Sequence, residues 1–104
     1  MARVLMEQSF EHPMSDEALS DFAKRLDPCL DIRGGTWARS YVSNDRRRMV
    51  CEFEAPDAES VRDALRSAGV PFDRVWSAHV FDADDYPDLA EKLRLVREKL
   101  AGRI

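Results

Sequence analysis

Six side chains spread along the sequence could act together in binding or in acid–base chemistry. Glutamate and histidine can hold or move a proton, and the planar guanidinium of arginine suits a carboxylate or another small anion. We predict a ligand-binding site for a small polar or anionic molecule where the fold brings together Glu7, Trp37, Arg39, Tyr41, Glu52 and His79. Its central pair would be Glu7 and Arg39, for which a buried salt bridge without any ligand is the alternative interpretation.

The familiar catalytic signatures are absent from the sequence. It contains no Gly-rich phosphate loop, no G-x-S-x-G elbow and no H-E-x-x-H helix. The two cysteines, Cys29 and Cys51, form no C-x-x-C pair, so we expect free thiols. The acidic stretch that begins at Asp82 lacks the glycine and the terminal glutamate of a calcium loop, and helix capping explains it better.

Hydrophobic periodicity predicts the strands that must position these side chains. Apolar and polar residues interleave over residues 3–10, and β-branched and aromatic residues are frequent over residues 36–42, which are followed by a return strand over 48–55. The intervening segment SNDRR is typical of a hairpin turn, and we expect its basic run to be solvated. A fourth strand is predicted over residues 73–81.

Apolar residues at helical spacing predict three helices. The first opens at Ser15 and ends near Pro28. The second follows the capping residue Asp57 and stops at Gly69. The third, over residues 84–101, is amphipathic and too short for a free coiled coil, so we expect it to pack on the domain or on a partner subunit.

The order of these elements is β-α-β-β-α-β, which is the split unit of ferredoxin-like α+β folds. The two halves also align at an offset of 43 residues, which places Phe10-Glu11 on Phe53-Glu54 and Pro13 on Pro56. We predict one ferredoxin-like domain over residues 1–104, with a core over 1–82 and the third helix as an addition.

Alternation along the strands separates two faces of the predicted sheet. One set is almost wholly apolar and is expected to face the helices: Val4, Met6, Ala38, Val42, Met49, Cys51, Phe53, Trp76, Ala78 and Val80. The other mixes aromatic, apolar and charged residues: Leu5, Glu7, Trp37, Arg39, Tyr41, Val50, Glu52, Glu54, Val75, Ser77 and His79. The second set is too apolar for water and too charged for burial without pairing, so we predict a homodimer with a polar cavity between the subunits.

Composition excludes several classes of protein. The net charge of −4 argues against a general nucleic-acid binder, because contact with phosphates needs a basic face. No apolar run approaches the roughly 20 residues of a membrane-spanning helix. Glu7 interrupts any apolar signal segment at the start of the chain, so we expect a cytoplasmic protein.

Four sequence motifs resemble a bacterial family of unknown function that includes nickel-binding proteins. They are the strand end Glu7-Gln8-Ser9-Phe10, the W-x-x-S-Y-V strand over residues 37–42, the C-x-F-E-A-P strand over 51–56, and the G-x-P before the fourth strand. The resemblance implies a ferredoxin-like dimeric α/β barrel with a metal or small-molecule site at the subunit interface. Many relatives carry histidine where this chain has Arg39. Because arginine does not ligate nickel, position 39 departs from the metal site that the resemblance implies.

We therefore predict a dimeric, non-enzymatic binding protein that needs no cofactor, with nickel as the metal that the resemblance implies. The alternative is an enzyme of the dimeric α/β-barrel class, a cofactor-independent monooxygenase or isomerase. In that case Glu7 or His79 would be the base and Arg39 would hold an anionic group.

Overall fold

The computed structural model describes residues 1–102 and has the predicted order of strands and helices. The strands are β1 (Ala2–Ser9), β2 (Thr36–Val42), β3 (Arg48–Ala55) and β4 (Arg74–Ala78). The helices are α1 (Asp16–Asp31), α2 (Ala58–Ala68) and α3 (Pro87–Ala101), and a 3₁₀ turn (Ala83–Asp85) precedes α3. The α+β ferredoxin-like fold class is confirmed.

The four strands form one antiparallel sheet in the order β2-β3-β1-β4. The core lies between one face of this sheet and helices α1 and α2. Val4 and Phe53 of the two central strands are fully buried there, in one cluster with Leu30 of α1 and with Val61 and Leu65 of α2. Burial of a side chain of this size contributes about 1.5–3 kcal/mol, which holds both helices on the same face.

Helix α1 runs past its predicted end. Its N-cap is Ser15, whose Oγ accepts a hydrogen bond from the backbone N–H of Ala18 at 3.1 Å. The helix continues through Pro28 to Asp31, so the predicted stop near Pro28 is wrong. Proline removes one helical hydrogen bond, but Leu30, which is 1% exposed, anchors the last turn in the core.

Helix α2 begins and ends at the predicted residues. The Asp57 side chain accepts a hydrogen bond from the backbone N–H of Ser60 at 2.7 Å, which satisfies a donor in the first turn. Gly69 ends the helix with φ 68°, a left-handed conformation that costs glycine little because it has no Cβ.

Strand β4 is shorter than predicted and has the opposite phase. Its pairing with β1 places Val75 beside Met6, and Val75 is buried at 6% exposure. Trp76 therefore lies on the other face and is 42% exposed, so its expected place in the core is wrong. The strand ends at Ala78, and Val80, expected in the core, is 44% exposed. Alternation within a five-residue strand does not fix its phase, whereas the pairing with β1 does.

A β-bulge in β2 moves Trp37 to the helix-facing side of the sheet. Trp37 pairs with Phe53 and Arg39 pairs with Glu52, so Ala38 is the extra residue between them. A bulge breaks the period of two. The expected position of Trp37 beside Arg39 and that of Ala38 in the core are therefore both wrong.

The basic run at the β2–β3 hairpin ties the hairpin to the loop after β1. Arg46 adopts φ 62° and donates hydrogen bonds to the carbonyl of Met14 and to the carboxylate of Asp16. Arg47 donates to the carbonyl of Glu11 at 2.6 Å. Arg46 and Arg47 are thus structural cross-links between two loops, while Arg47 and Arg48 are exposed to solvent, as expected for this turn.

Helix α3 extends away from the rest of the domain. Its main contact is the 3₁₀ turn, and none of its residues is buried. The radius of gyration is 15.9 Å, compared with about 13 Å for a compact chain of this length. Packing of α3 on its own domain is thus not seen within residues 1–102, and packing on a partner stays a prediction. Among the described residues, none of the helices is both long enough and apolar enough to cross a membrane.

Candidate functional site

The candidate site is the sheet face opposite α1 and α2, which we call the open face. The strand pairing places on it residues from all four strands: Arg3, Leu5, Glu7, Ser9, Thr36, Arg39, Tyr41, Arg48, Val50, Glu52, Glu54, Arg74, Trp76 and Ala78. Four arginines and three glutamates give this face a formal charge of +1 in a chain whose net charge is −4. The open face is thus locally positive on an acidic protein.

Glu52 is the most buried charged group on the open face, since its side chain is 13% exposed. Its Oε2 lies 2.5 Å from Nη1 of Arg3 and 3.4 Å from Nε of Arg39. Arg3 also contacts Glu54, with Nη2 3.2 Å from Oε1. Two guanidinium groups therefore compensate one half-buried carboxylate, which is the pairing that burial of its charge requires.

Glu7 has different partners. Trp76 Nε1 donates a hydrogen bond to Glu7 Oε2 at 2.9 Å, and Nε of Arg74 lies 4.0 Å from the same oxygen. Strand β3 separates β1 from β2, so Glu7 is opposite Val50 while Arg39 is opposite Glu52. The predicted Glu7–Arg39 pair is consequently replaced by two separate clusters.

The structure brings four of the six predicted site residues to the open face and leaves two elsewhere. Glu7, Arg39, Tyr41 and Glu52 share this face, and Tyr41 is 58% exposed. Trp37 lies on the helix side because of the bulge. His79 follows the end of β4, is exposed, and packs its ring against Phe81 at 5.1 Å between ring centroids.

Sequence reasoning missed Arg3 and Trp76 as members of the site. Arg3 has the same period-two phase as Leu5 and Glu7, so alternation alone could have placed it on this face. Trp76 could not be found this way, because only the pairing of β4 with β1 defines its side. Both residues contact a predicted glutamate directly.

The donor groups of a single chain do not fit a metal ion well. Residues 1–102 contain no group of three or more histidine, cysteine, aspartate or glutamate side chains close enough to hold one. The carboxylates of Glu7 and Glu52 are instead paired with arginine side chains. Nickel favours imidazole and thiolate ligands, and neither type is present on the open face.

The comparisons with known proteins agree with the fold. A search of solved structures finds the crystal structure of SCO4226 from Streptomyces coelicolor A3(2), with a TM-score of 0.71 and 15% identity, covering 78% of this chain and 100% of that one. At this identity the likeness concerns the fold alone. The curated proteins contain no match to the chain. The family model described as "Nickel responsive protein SCO4226-like" matches residues 5–77. Because this match spans well over half of the sequence, the chain belongs to the SCO4226-like family of nickel-responsive proteins.

Proposed function

We propose that the protein is a non-enzymatic binding protein that acts as a homodimer and holds a small anionic molecule between two open faces. The observation that carries the proposal is the composition of the open face. It combines exposed aromatic rings with arginine–glutamate clusters and has a positive local charge on an acidic chain. Aromatic residues and arginine are enriched at protein interfaces.

Dimerisation would bury the apolar part of this face. Trp76 and Tyr41 are 42% and 58% exposed, and Leu5 and Val50 between them are half-buried. The pairing puts Trp76 beside Leu5 and Tyr41 beside Val50, and exposed apolar side chains that gather on one face mark interaction sites on soluble proteins. A two-fold axis would place the same patch of both copies in contact, which is the commonest arrangement for a homodimer.

Arg39 is the residue that we expect to bind the anion. Its side chain is 61% exposed, and its contact with Glu52 is made through Nε at 3.4 Å. A guanidinium carries five donors in a fork that matches a carboxylate or phosphate. Arg3, in contrast, is 28% exposed and engaged with two glutamates, so we assign it a structural role.

Nickel is not part of the proposed mechanism. The family description concerns nickel responsiveness, and the donor set of this chain does not fit the ion. Protein that is purified without a histidine tag and loaded with Ni²⁺ should retain well below one equivalent after dialysis. Stoichiometric retention would show instead that the two chains of a dimer build a metal site together.

The dimer is tested by sedimentation equilibrium on the wild type and on two matched variants. We expect twice the chain mass of 11.9 kDa for the wild type. Tyr41→Asp should give monomers, because it replaces an aromatic ring of the proposed interface with a charged group that is costly to bury. Tyr86→Asp is the control, since Tyr86 is 50% exposed but lies before α3. Dissociation by Tyr86→Asp alone would place the interface at α3.

Anion binding is tested separately by thermal shift with phosphate, acetate and citrate. An anion at tenfold its Kd should stabilise the wild type by about 1.4 kcal/mol, a rise of roughly 5–10 °C in Tm. Arg39→Gln should abolish the rise, and Arg97→Gln, an exposed arginine on α3, should preserve it. Equal rises in both variants would refute the anion site while leaving the dimer intact.

A further inference from the structure

A concave site lies on the opposite side of the sheet from the open face. Between α1 and the helix-facing side of the sheet the protein has an apolar cleft of about 750 Å³. Its walls include Met6, Phe22, Leu26, Trp37, Met49 and Phe53. The volume falls within the range of roughly 300–1,000 Å³ that is typical of small-molecule sites.

The cleft exists because the two halves of α1 are buried to different degrees. Leu26 and Leu30 in the C-terminal half are 7% and 1% exposed. Leu19 and Phe22 in the N-terminal half are only partly buried, and both line the cleft. The first half of α1 therefore leaves space above the sheet, and the space reaches down to Phe53, which is fully buried.

A short chain of hydrogen bonds lies along the cleft wall at the bulge in β2. Trp37 Nε1 donates to Ser40 Oγ at 2.9 Å, and the Ser40 hydroxyl donates to Cys51 Sγ at 3.0 Å. All three residues line the cleft. Thiol sulfur is a weak acceptor, so the Ser40 hydroxyl can turn toward a better acceptor on a ligand at little cost.

We propose that this cleft binds a neutral small molecule with a compact apolar body and one hydroxyl or carbonyl group, which bonds to Ser40. A body of roughly ten to twenty non-hydrogen atoms fits the volume. The cleft is deep enough to reach core residues, so it suits a compact small molecule better than a helix of a partner protein, which would lie across its mouth. The charged residues Lys24 and Asp27 come from α1 and oppose each other in sign, so they give no net preference for an ion.

The two tryptophans provide separate reporters for the two faces of the sheet. Trp37 lines the cleft and Trp76 lies on the open face, and the chain has no others. Nitrobenzyl alcohol is a suitable probe, because it is neutral, carries one hydroxyl and quenches indole fluorescence on contact. Trp76→Phe protein, which keeps Trp37, should show saturable quenching. Trp37→Phe protein should show only linear, collisional quenching of Trp76.

Nitrobenzoate, the anionic analogue of similar size, is the matched probe. It should bind the cleft at least about tenfold more weakly than the alcohol, because Asp27 offsets the charge of Lys24 and no other lining residue offers a cation to the carboxylate. Saturable quenching of Trp76 by nitrobenzoate would report on the anion site of the open face. Quenching of Trp37 by the alcohol thus tests the cleft, whereas quenching of Trp76 by nitrobenzoate tests the proposed function, so one proposal can fail without the other.

Occlusion of the cleft gives the decisive comparison. Ala23 is exposed on α1 and lines the cleft, so Ala23→Phe should reduce the affinity for nitrobenzyl alcohol by at least about tenfold. Ala101→Phe, an exposed position on α3, should leave the affinity unchanged. Linear quenching in Trp76→Phe protein, or equal affinities in the two phenylalanine variants, would overturn the proposal. Affinity that falls as protein concentration rises would also overturn it, since a second copy would then occupy the cleft.

Discussion

The substitution Glu52→Gln should destabilise the fold measurably, because Glu52 is the half-buried acceptor at the centre of the open face. It removes the negative charge that compensates Arg3 at 2.5 Å and Arg39 at 3.4 Å. A hydrogen bond to a charged group contributes about 1.5–3 kcal/mol, whereas an exposed ion pair contributes about 0.2–1 kcal/mol.

The exposure of each partner decides which figure applies. Arg3 is 28% exposed and belongs nearer the first case, while Arg39 at 61% belongs to the second. The amide oxygen of glutamine still accepts one hydrogen bond, which recovers part of the loss. We expect a decrease of about 1–2 kcal/mol in the free energy of unfolding, or roughly 5–10 °C in Tm.

Urea denaturation followed by circular dichroism measures this decrease. The two proteins should be compared at the same concentration, because dimerisation would couple stability to concentration. Glu54→Gln is the control, since Glu54 is on the same strand and contacts Arg3 at 3.2 Å but is 50% exposed. It should cost less than about 0.5 kcal/mol. Equal losses in the two variants would refute the assignment of Glu52 as the central acceptor.

Three further predictions concern single side chains. Gln8→Met should raise the free energy of unfolding by about 1 kcal/mol in urea titrations, because Oε1 of Gln8 is buried without a hydrogen-bond partner among the described residues. A decrease in the free energy of unfolding would show that this oxygen has a hydrogen-bond partner in solution. The hydrogen bond from the Ser60 backbone lowers the pKa of Asp57. Its contribution is therefore complete above the ordinary pKa of about 3.9 and is lost as pH falls through the lower folded value. Asp57→Ala should thus lower Tm at neutral pH and converge with the wild type in strong acid; a gap that is independent of pH would contradict this. Burial raises the pKa of the Cys51 thiol, so in Cys29→Ser protein a thiol reagent should label Cys51 at least about tenfold more slowly than in the urea-unfolded chain near pH 8. Equal rates would show that the cleft opens freely.

The proposed anion site and the proposed cleft lie on opposite faces of one sheet. Strand β2 contributes to both, because the bulge at Ala38 turns Trp37 toward the helices while Arg39 and Tyr41 stay on the open face. Removal of this bulge would therefore change both sites at once. A single irregular residue divides the strand between two surfaces with different chemistry.

Local patterns in the sequence determined most of the architecture. The bounds of β2 and β3, and those of α2 with its caps at Asp57 and Gly69, follow from alternation, helical spacing and capping chemistry. These features depend on neighbours within one turn or one strand. The order of elements then implied the ferredoxin-like fold, and the mixed second face of the sheet implied where a site would lie.

Tertiary structure alone decided which side chains meet. Pairing with β1 determined which residues of β4 face the helices, and it placed Trp76 within hydrogen-bond distance of Glu7. The register of β2 against β3 placed Arg39 beside Glu52 rather than beside Glu7. Alternation with a period of two divides the residues of a strand into two sets, but it does not say which set faces the core when the strand is short or contains a bulge. Pairing with the neighbouring strand then decides which set is buried. The cleft beside Trp37 likewise depends on how far α1 stands from the sheet, which is a matter of packing between distant segments.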